Sequence, residues 1–238
     1  MTAPPDPPKP PFPVRLAIRR FVLLTMIFAV LAAALILPSG RLDWWEAWLF
    51  MAVYYLIAMA GILDMLRSDP ALAAERGRLR PETKHWDKVI VPLNSLLSLA
   101  LFFVIGLDAG RFRLSNVPVA LRLAALVGFV PAFGLPTWAS KVNTYLGGLV
   151  SIQQDRGHQA VTQGPYRFVR HPMYLGMIFY DLCVPLLLGS WWGLGVSALM
   201  IALLVTRTSL EDRTLLAELP GYRDYAQRVR YRLVPGVW

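Results

Sequence analysis

The chain has 238 residues, 56% of them hydrophobic and 16% charged, with a formal net charge of +9. That is more apolar surface than one water-soluble core of this size can hide, and it comes in long blocks, so a soluble globular protein is excluded. The cations are spread over short connections without a nucleic-acid motif, which points to anionic lipid headgroups as neighbours and away from DNA or RNA.

Residues 1–15 form a Pro-rich segment without apolar periodicity, read as a disordered or polyproline lead-in. A four-helix transmembrane region, 16–139, follows. Its blocks Leu16–Leu37, Trp44–Leu66, Val89–Leu107 and Val117–Trp138 each meet or approach the ~20 residues a crossing requires. The last region, 140–238, holds a polar loop, a block from Tyr174 to Val205 too long for one crossing, and an amphipathic tail. Pro185 and the run Leu188-Gly-Ser-Trp-Trp-Gly193 predict a helical hairpin whose turn carries interfacial tryptophans. Each arm has about 15 apolar residues, or about 22 Å of helix, short of a hydrocarbon core of about 30 Å. Both arms are therefore expected to extend into their polar flanks, bringing Arg170–Met173 beside Thr206–Glu211. The predicted fold is an all-α polytopic transmembrane helical bundle of about six crossings, the last two a short hairpin.

Arginine and lysine positions orient it. Lys9, Arg15, Arg19 and Arg20 lie before or at the start of the first crossing, Arg67 and Arg76 to Lys88 fill the second connection, and Lys141 to Arg170 occupy the fourth, whereas the alternate connections hold Arg41, then Arg111 and Arg113, then none. A multi-pass cell-membrane protein with both termini in the cytoplasm satisfies this pattern. Cys183 is alone and only His85, His158 and His171 are present, which excludes an intrachain disulfide and argues against a metal site. No internal repeat of the transporter kind is evident.

Chemistry concentrates in the run Gly164-Pro-Tyr-Arg-Phe-Val-Arg-His-Pro-Met-Tyr-Leu-Gly176, too polar for a lipid-facing helix yet leading directly into membrane-length apolar sequence. Helical periodicity places Arg170, His171, Tyr174, Met177 and Asp181 on one side of the first hairpin arm. Asp181, inside a membrane segment, is a functional or pairing residue by default. Simpler readings exist for each residue: Arg207 and Glu211 as an i,i+4 ion pair, Tyr166 and Tyr174 as interfacial anchors, His171 as a helix cap, Asp181 as a partner of Asn94 or Ser98, and Tyr222 and Tyr225 as packing for the tail.

Taken in order, Ile152-Gln-Gln-Asp-Arg-Gly-His158, Val161-Thr-Gln-Gly-Pro-Tyr166, Arg170-His-Pro-Met-Tyr174, Arg207, Glu211 and Leu219-Pro-Gly-Tyr-Arg-Asp-Tyr225 resemble the isoprenylcysteine carboxyl methyltransferase family and the related phospholipid N-methyltransferases. The resemblance covers roughly Gln153 to Trp238 and leaves the first four crossings unmatched. It implies S-adenosylmethionine as methyl donor, contacted by His158, Gln159, Ala160, Val161, Tyr166, His171 and Tyr174 and closed in by Glu211, with Arg207 on the acceptor side. Relatives often carry paired glutamates where this chain has Glu211-Asp212. The residue types suit that donor: a carboxylate from Glu211, a cation from Arg170 or His171, and aromatic faces from Tyr166 or Tyr174 able to hold a sulfonium. The acceptor implied is lipophilic, a carboxylate favoured and a lipid amine possible. The rival functions are an NADPH-dependent membrane reductase of the sterol-reductase kind and a nonenzymatic membrane adaptor or transporter.

Overall fold

Apolar length decides most of the helices, and their ends follow from local chemistry. In the computed structural model, which describes residues 12–78 and 80–238, α1 runs Val14–Ser39 and stops at Gly40, whose left-handed backbone (φ 64°) returns its N–H to the Leu37 carbonyl. The predicted N-terminal segment lies mostly outside the described residues, and α1 begins within its last two. α2 spans Trp45–Ser68. Asp69 then caps the short α3 (Pro70–Glu75), accepting from the Leu72 N–H at 2.8 Å with proline at the first helical position.

α4 (Asp87–Ile105) continues as a π-helical turn, Gly106–Phe112, longer at both ends than its apolar block. Glycine is required here by a close approach: a Cβ on Gly106 would collide with the Leu35 carbonyl, and one on Gly110 with the Ser39 side chain. α5 (Val119–Val142) carries Pro131 and Pro136 in its interior. A loop with two short 3₁₀ turns, Gln154–Arg156 and Gly164–Arg167, leads to α6 (Pro172–Leu188), α7 (Trp191–Glu218) and α8 (Tyr222–Arg228).

The hairpin is present, with a different division between its arms. Its turn is only Gly189–Ser190. Pro185 sits inside α6, and Trp191 and Trp192 already belong to α7, where Ser190 caps the Gly193 N–H at 2.9 Å. α6 does not extend back over Arg170 and His171, because their N–H groups donate to the Tyr231 and Arg232 carbonyls, each at 2.9 Å. All the extension falls on α7, whose 28 residues make a rod of about 42 Å against about 25 Å for the 17 of α6.

Five helices, α1, α2, α4 with its π turn, α5 and α7, are long and apolar enough to cross a membrane, and α6 is a shorter apolar helix beside them. Packing runs from α2 to α1 to α4 to α7 to α6 to α5, the last pair touching most extensively. Between lipid-solvated helices this contact is set by van der Waals fit and polar links, since lipid tails are as apolar as leucine. An aromatic cluster of Phe28, Phe50, Tyr54, Phe102, Phe129, Phe133 and Tyr180 fills the centre. The two ends of the bundle are each tied by buried aspartate. At one, Asp108 Oδ2 accepts from Ser115 (2.6 Å) and Ser190 (2.5 Å), joining α4 to the hairpin turn. At the other lie Asp87 and Asp212.

Candidate functional site

At the Asp87 end an open cleft of about 780 Å³ is lined by the 143–151 segment, the 158–161 segment, Tyr166, the start of α6, one face of α7 and Tyr222 and Tyr225 of α8. All ten predicted positions, His158, Gln159, Ala160, Val161, Tyr166, Arg170, His171, Tyr174, Arg207 and Glu211, lie on its walls. They arrive from three stretches of chain because α7 overshoots its partner and the 143–171 loop folds back over its end.

Arg207 is fully committed along one edge. Its Nε donates to Asp87 Oδ1 at 2.7 Å and its Nη2 to Asp87 Oδ2 at 3.0 Å, with a further contact to the Gly148 carbonyl at 3.3 Å. Asp87 is wholly buried and also accepts the Val150 N–H at 2.7 Å. The guanidinium lies 5.1 Å from the Tyr174 ring centroid, a cation–π distance. A two-toothed grip on an acceptor carboxylate through this edge would require the Asp87 pair to open, so only Nη1 remains for a ligand. The i,i+4 ion pair with Glu211 is not formed. Glu211 accepts instead from the Tyr174 hydroxyl, and that bond ties α6 to α7 inside the cleft.

Neighbouring carboxylates on α7 therefore do different work. Glu211 faces the cleft, whereas Asp212 is fully buried and gathers Arg232 Nε (2.9 Å), the Tyr222 hydroxyl (2.9 Å), Arg170 Nη2 (3.4 Å) and His171 Nε2 (3.4 Å). This hub pins the tail and the start of α6 to α7. His171 is held by it and lies parallel to Tyr174, ring centroids 5.7 Å apart, so it shapes the wall more than a free cap would. Burial, then the Asp212 carboxylate, push the Tyr222 phenol far above its ordinary range.

On the loop side, His158 stacks on Tyr145 at 4.3 Å and accepts the Gln153 N–H on Nδ1 at 3.3 Å. Burial first, then Arg156 and Arg80, lower its pKa to about 4, so at neutral pH it is uncharged, with the proton on Nε2. Tyr166 accepts from Asn143 at 3.0 Å, and burial raises its pKa to about 12, leaving its own O–H as a donor. Arg170 Nε is buried with no partner among the described residues.

Sequence reasoning missed Asp87, Asn143 and Tyr145, and it placed Tyr222 and Tyr225 in the family-like run Leu219–Tyr225 without giving them a place in the site. A lone acid opening an apolar block gives no sign of a partner 120 positions away. Asp181 is buried outside the cleft. The pairing with Asn94 or Ser98 is not made: Ser98 donates to the Asn94 carbonyl, and Ser197 donates to the backbone carbonyl of Asp181.

The sequence profile of the isoprenylcysteine carboxyl methyltransferase (ICMT) family matches residues 141–217, from the end of α5 to the end of α7. It stops short of the 219–230 tail. Among curated proteins, Protein-S-isoprenylcysteine O-methyltransferase B of Arabidopsis thaliana is 31% identical over 87 residues, 34% of this chain and 42% of that protein. Delta(14)-sterol reductase TM7SF2 of Mus musculus is 28% identical over 158 residues, 57% of this chain and 36% of that protein. The chain thus spans about two fifths of the length of the curated relatives it matches. Its cleft-forming region is similar to isoprenylcysteine carboxyl methyltransferases.

Proposed function

We infer that this protein is an integral membrane methyltransferase that uses S-adenosylmethionine and modifies a lipophilic acceptor, with carboxylate O-methylation favoured over lipid amine N-methylation. The observation that carries this reading is the convergence of residues 158–174, Arg207 and Glu211 on one cleft at the end of a polytopic bundle, within the family-matched segment. The donor set fits such a cofactor. Glu211 offers a carboxylate for a hydroxyl or ammonium. Arg170 Nε offers an unpaired buried donor. Tyr145, Tyr166, Tyr174 and neutral His158 offer aromatic faces to an adenine or a sulfonium.

When bound, S-adenosylmethionine would supply an electrophilic methyl group, and a deprotonated acceptor needs no general base. The contribution of the chain is then positioning, for which up to about 7–11 kcal/mol is available when reacting groups are well aligned. Arg207 Nη1 would hold one oxygen of an anionic acceptor, and the Asp87 pair keeps the guanidinium fixed against Tyr174. In this reading the cleft and both termini face the cytoplasm, and the acceptor enters from the lipid side.

A second reading, an NADPH-dependent reductase, is favoured by the mouse sterol-reductase likeness. It also draws on a neighbouring cavity of about 650 Å³ lined by Arg76, Arg78, Arg80 and Arg156, cations that a phosphate-rich cofactor would use, although Arg80 is itself paired with Glu75 and Asp155. Within the main cleft itself both arginines are already neutralised by Asp87 and Asp212, which supports the methyltransferase reading. Calorimetry on the protein in nanodiscs separates the two. Saturable binding of S-adenosylmethionine and none of NADPH is expected; the opposite result overturns the first reading, and binding of neither leaves an adaptor.

A further inference from the structure

At the end of the bundle remote from the cleft, α2 and α5 diverge. They meet through side chains, Phe50 with Phe129 (ring centroids 6.2 Å apart) and Tyr54 with Phe133 (5.9 Å), and not by close helix packing. Between them lies an apolar groove of about 1350 Å³. Leu49, Val53 and Ile57 form one wall at helical spacing, Leu123, Leu126 and Val130 the other, and the aromatic pairs the floor.

The groove opens into a polar mouth of about 590 Å³ that shares Glu46, Arg122 and Leu188 with it and adds Arg41 and Arg113. Arg41 and Arg113 come from connections otherwise poor in cations, and Arg122 from the first turn of α5. Arg41 is taken up by Asp43 at 3.1 Å, while Arg113 and Arg122 have no carboxylate partner among the described residues, and Glu46 is the remaining acid. Arg122 is anchored by Nε on the Val117 carbonyl at 3.2 Å and lies against the hairpin turn at Gly189. Arg113 is the one non-glycine residue with positive φ (52°) among those described; it caps the π turn, its N–H returned to the Asp108 carbonyl, which fixes where its side chain leaves the backbone.

We propose that this groove and its mouth form a binding site for one phospholipid of the leaflet opposite the cleft, its phosphate on Arg113 and Arg122 and one acyl chain between α2 and α5. Length supports it. From Trp45 to Ile57 the groove runs about 18 Å along α2, close to the roughly 15 Å that one leaflet contributes to the hydrocarbon core. Depth supports it too: Arg113 ends the π turn and Arg122 lies in the first turn of α5, at the end of the bundle where Trp191 donates to the Asn116 carbonyl, and interfacial tryptophan marks the layer where a phosphodiester sits. Arginine holds phosphate through a planar fork, and each adds about tenfold or less to affinity for an anionic lipid.

Native mass spectrometry of the full chain in detergent, titrated with palmitoyl-oleoyl phosphatidylglycerol, tests the site. The expected result is one adduct retained at collision energies that strip bulk lipid, weakened about tenfold or more in Arg113→Gln/Arg122→Gln. The groove-filling Val130→Trp should abolish it, at a position 72% exposed where a larger side chain leaves the helix packing alone. Equal retention in wild type and both variants would mark ordinary bulk lipid and overturn the proposal. So would binding of inorganic phosphate without retained lipid, or a dimer that Val130→Trp dissociates, which would place a second copy in the groove.

Discussion

The two ends of this bundle solve the same problem, a buried aspartate, with different partners. At the hairpin turn Asp108 is met by two hydroxyls and a backbone N–H from within or next to the α6–α7 turn and the loop before α5. At the cleft Asp87 and Asp212 are met by guanidinium groups, with Arg207 reaching Asp87 across 120 positions of sequence. Hydroxyls can be exchanged for water at modest cost. A buried guanidinium that loses its carboxylate cannot be, so the cleft end is the more specific and the more brittle of the two.

The sharpest way to break that contrast is Asp87→Ala. It strands Arg207 in a desolvated site and should cost about 3–5 kcal/mol of stability, read as a lowered thermal midpoint in detergent. A loss no larger than that of Asp108→Asn would show that the two ends are equivalent. Arg207→Lys should cost less, about 1–3 kcal/mol, because the charge survives but the fork does not. S-adenosylmethionine affinity should persist in that variant while turnover falls, and lost affinity with normal turnover would move Arg207 to the cofactor side. Asp108→Asn should cost about 1 kcal/mol, since an amide oxygen still accepts from Ser115 and Ser190.

Glu211→Gln probes the same helix without touching either hub. Stability should fall by about 0.5–1 kcal/mol, since the amide oxygen still accepts from Tyr174 without the charge, while cofactor affinity drops about tenfold, as for loss of a charged hydrogen-bond acceptor. If the thermal midpoint falls as far as in an Asp212→Ala control, Glu211 belongs to the scaffold.

The smallest effect is one of pH. The folded His158 titrates near 4 against 6.5 for the free side chain, so the folded state holds fewer protons than the unfolded one between those values. Its share of stability is complete above pH 6.5 and is lost as the pH falls from there towards 4. Wild type should therefore lose more thermal stability than His158→Gln between pH 7 and pH 5, and parallel losses would show that His158 is solvated.

How legible all this was depended on distance along the chain. The apolar blocks announce helices because membrane length is a local property, and the residues from His158 to Tyr174 fall on one cleft because a single loop and helix start carry them. Asp87 gave no local sign of Arg207. Glu211-Asp212 stands where relatives often carry paired glutamates, yet a 100° step around α7 sends one carboxylate to the cleft and the other to the tail. The arms of the hairpin were expected to share their extension. The backbone bonds of Arg170 and His171 to residues 231 and 232 stop α6 at Pro172 and pass the whole extension to α7.

That unequal hairpin has a consequence for membrane thickness. Trp191 and Trp192 are exposed and anchor the turn in one interfacial layer. From there α6, taken along the bilayer normal, rises only about 25 Å through a core of about 30 Å, so its start beside His171 stops roughly 5 Å beneath the opposite headgroup plane and Tyr174 about 3 Å deeper. In the proposed reading, a lipophilic acceptor reaches them without leaving the acyl region, and the depth of that recess is set by the host bilayer. Thinner membranes bring the cleft floor up to the aqueous boundary, thicker ones sink it, and the same polypeptide will meet water and lipid at a different ratio in each.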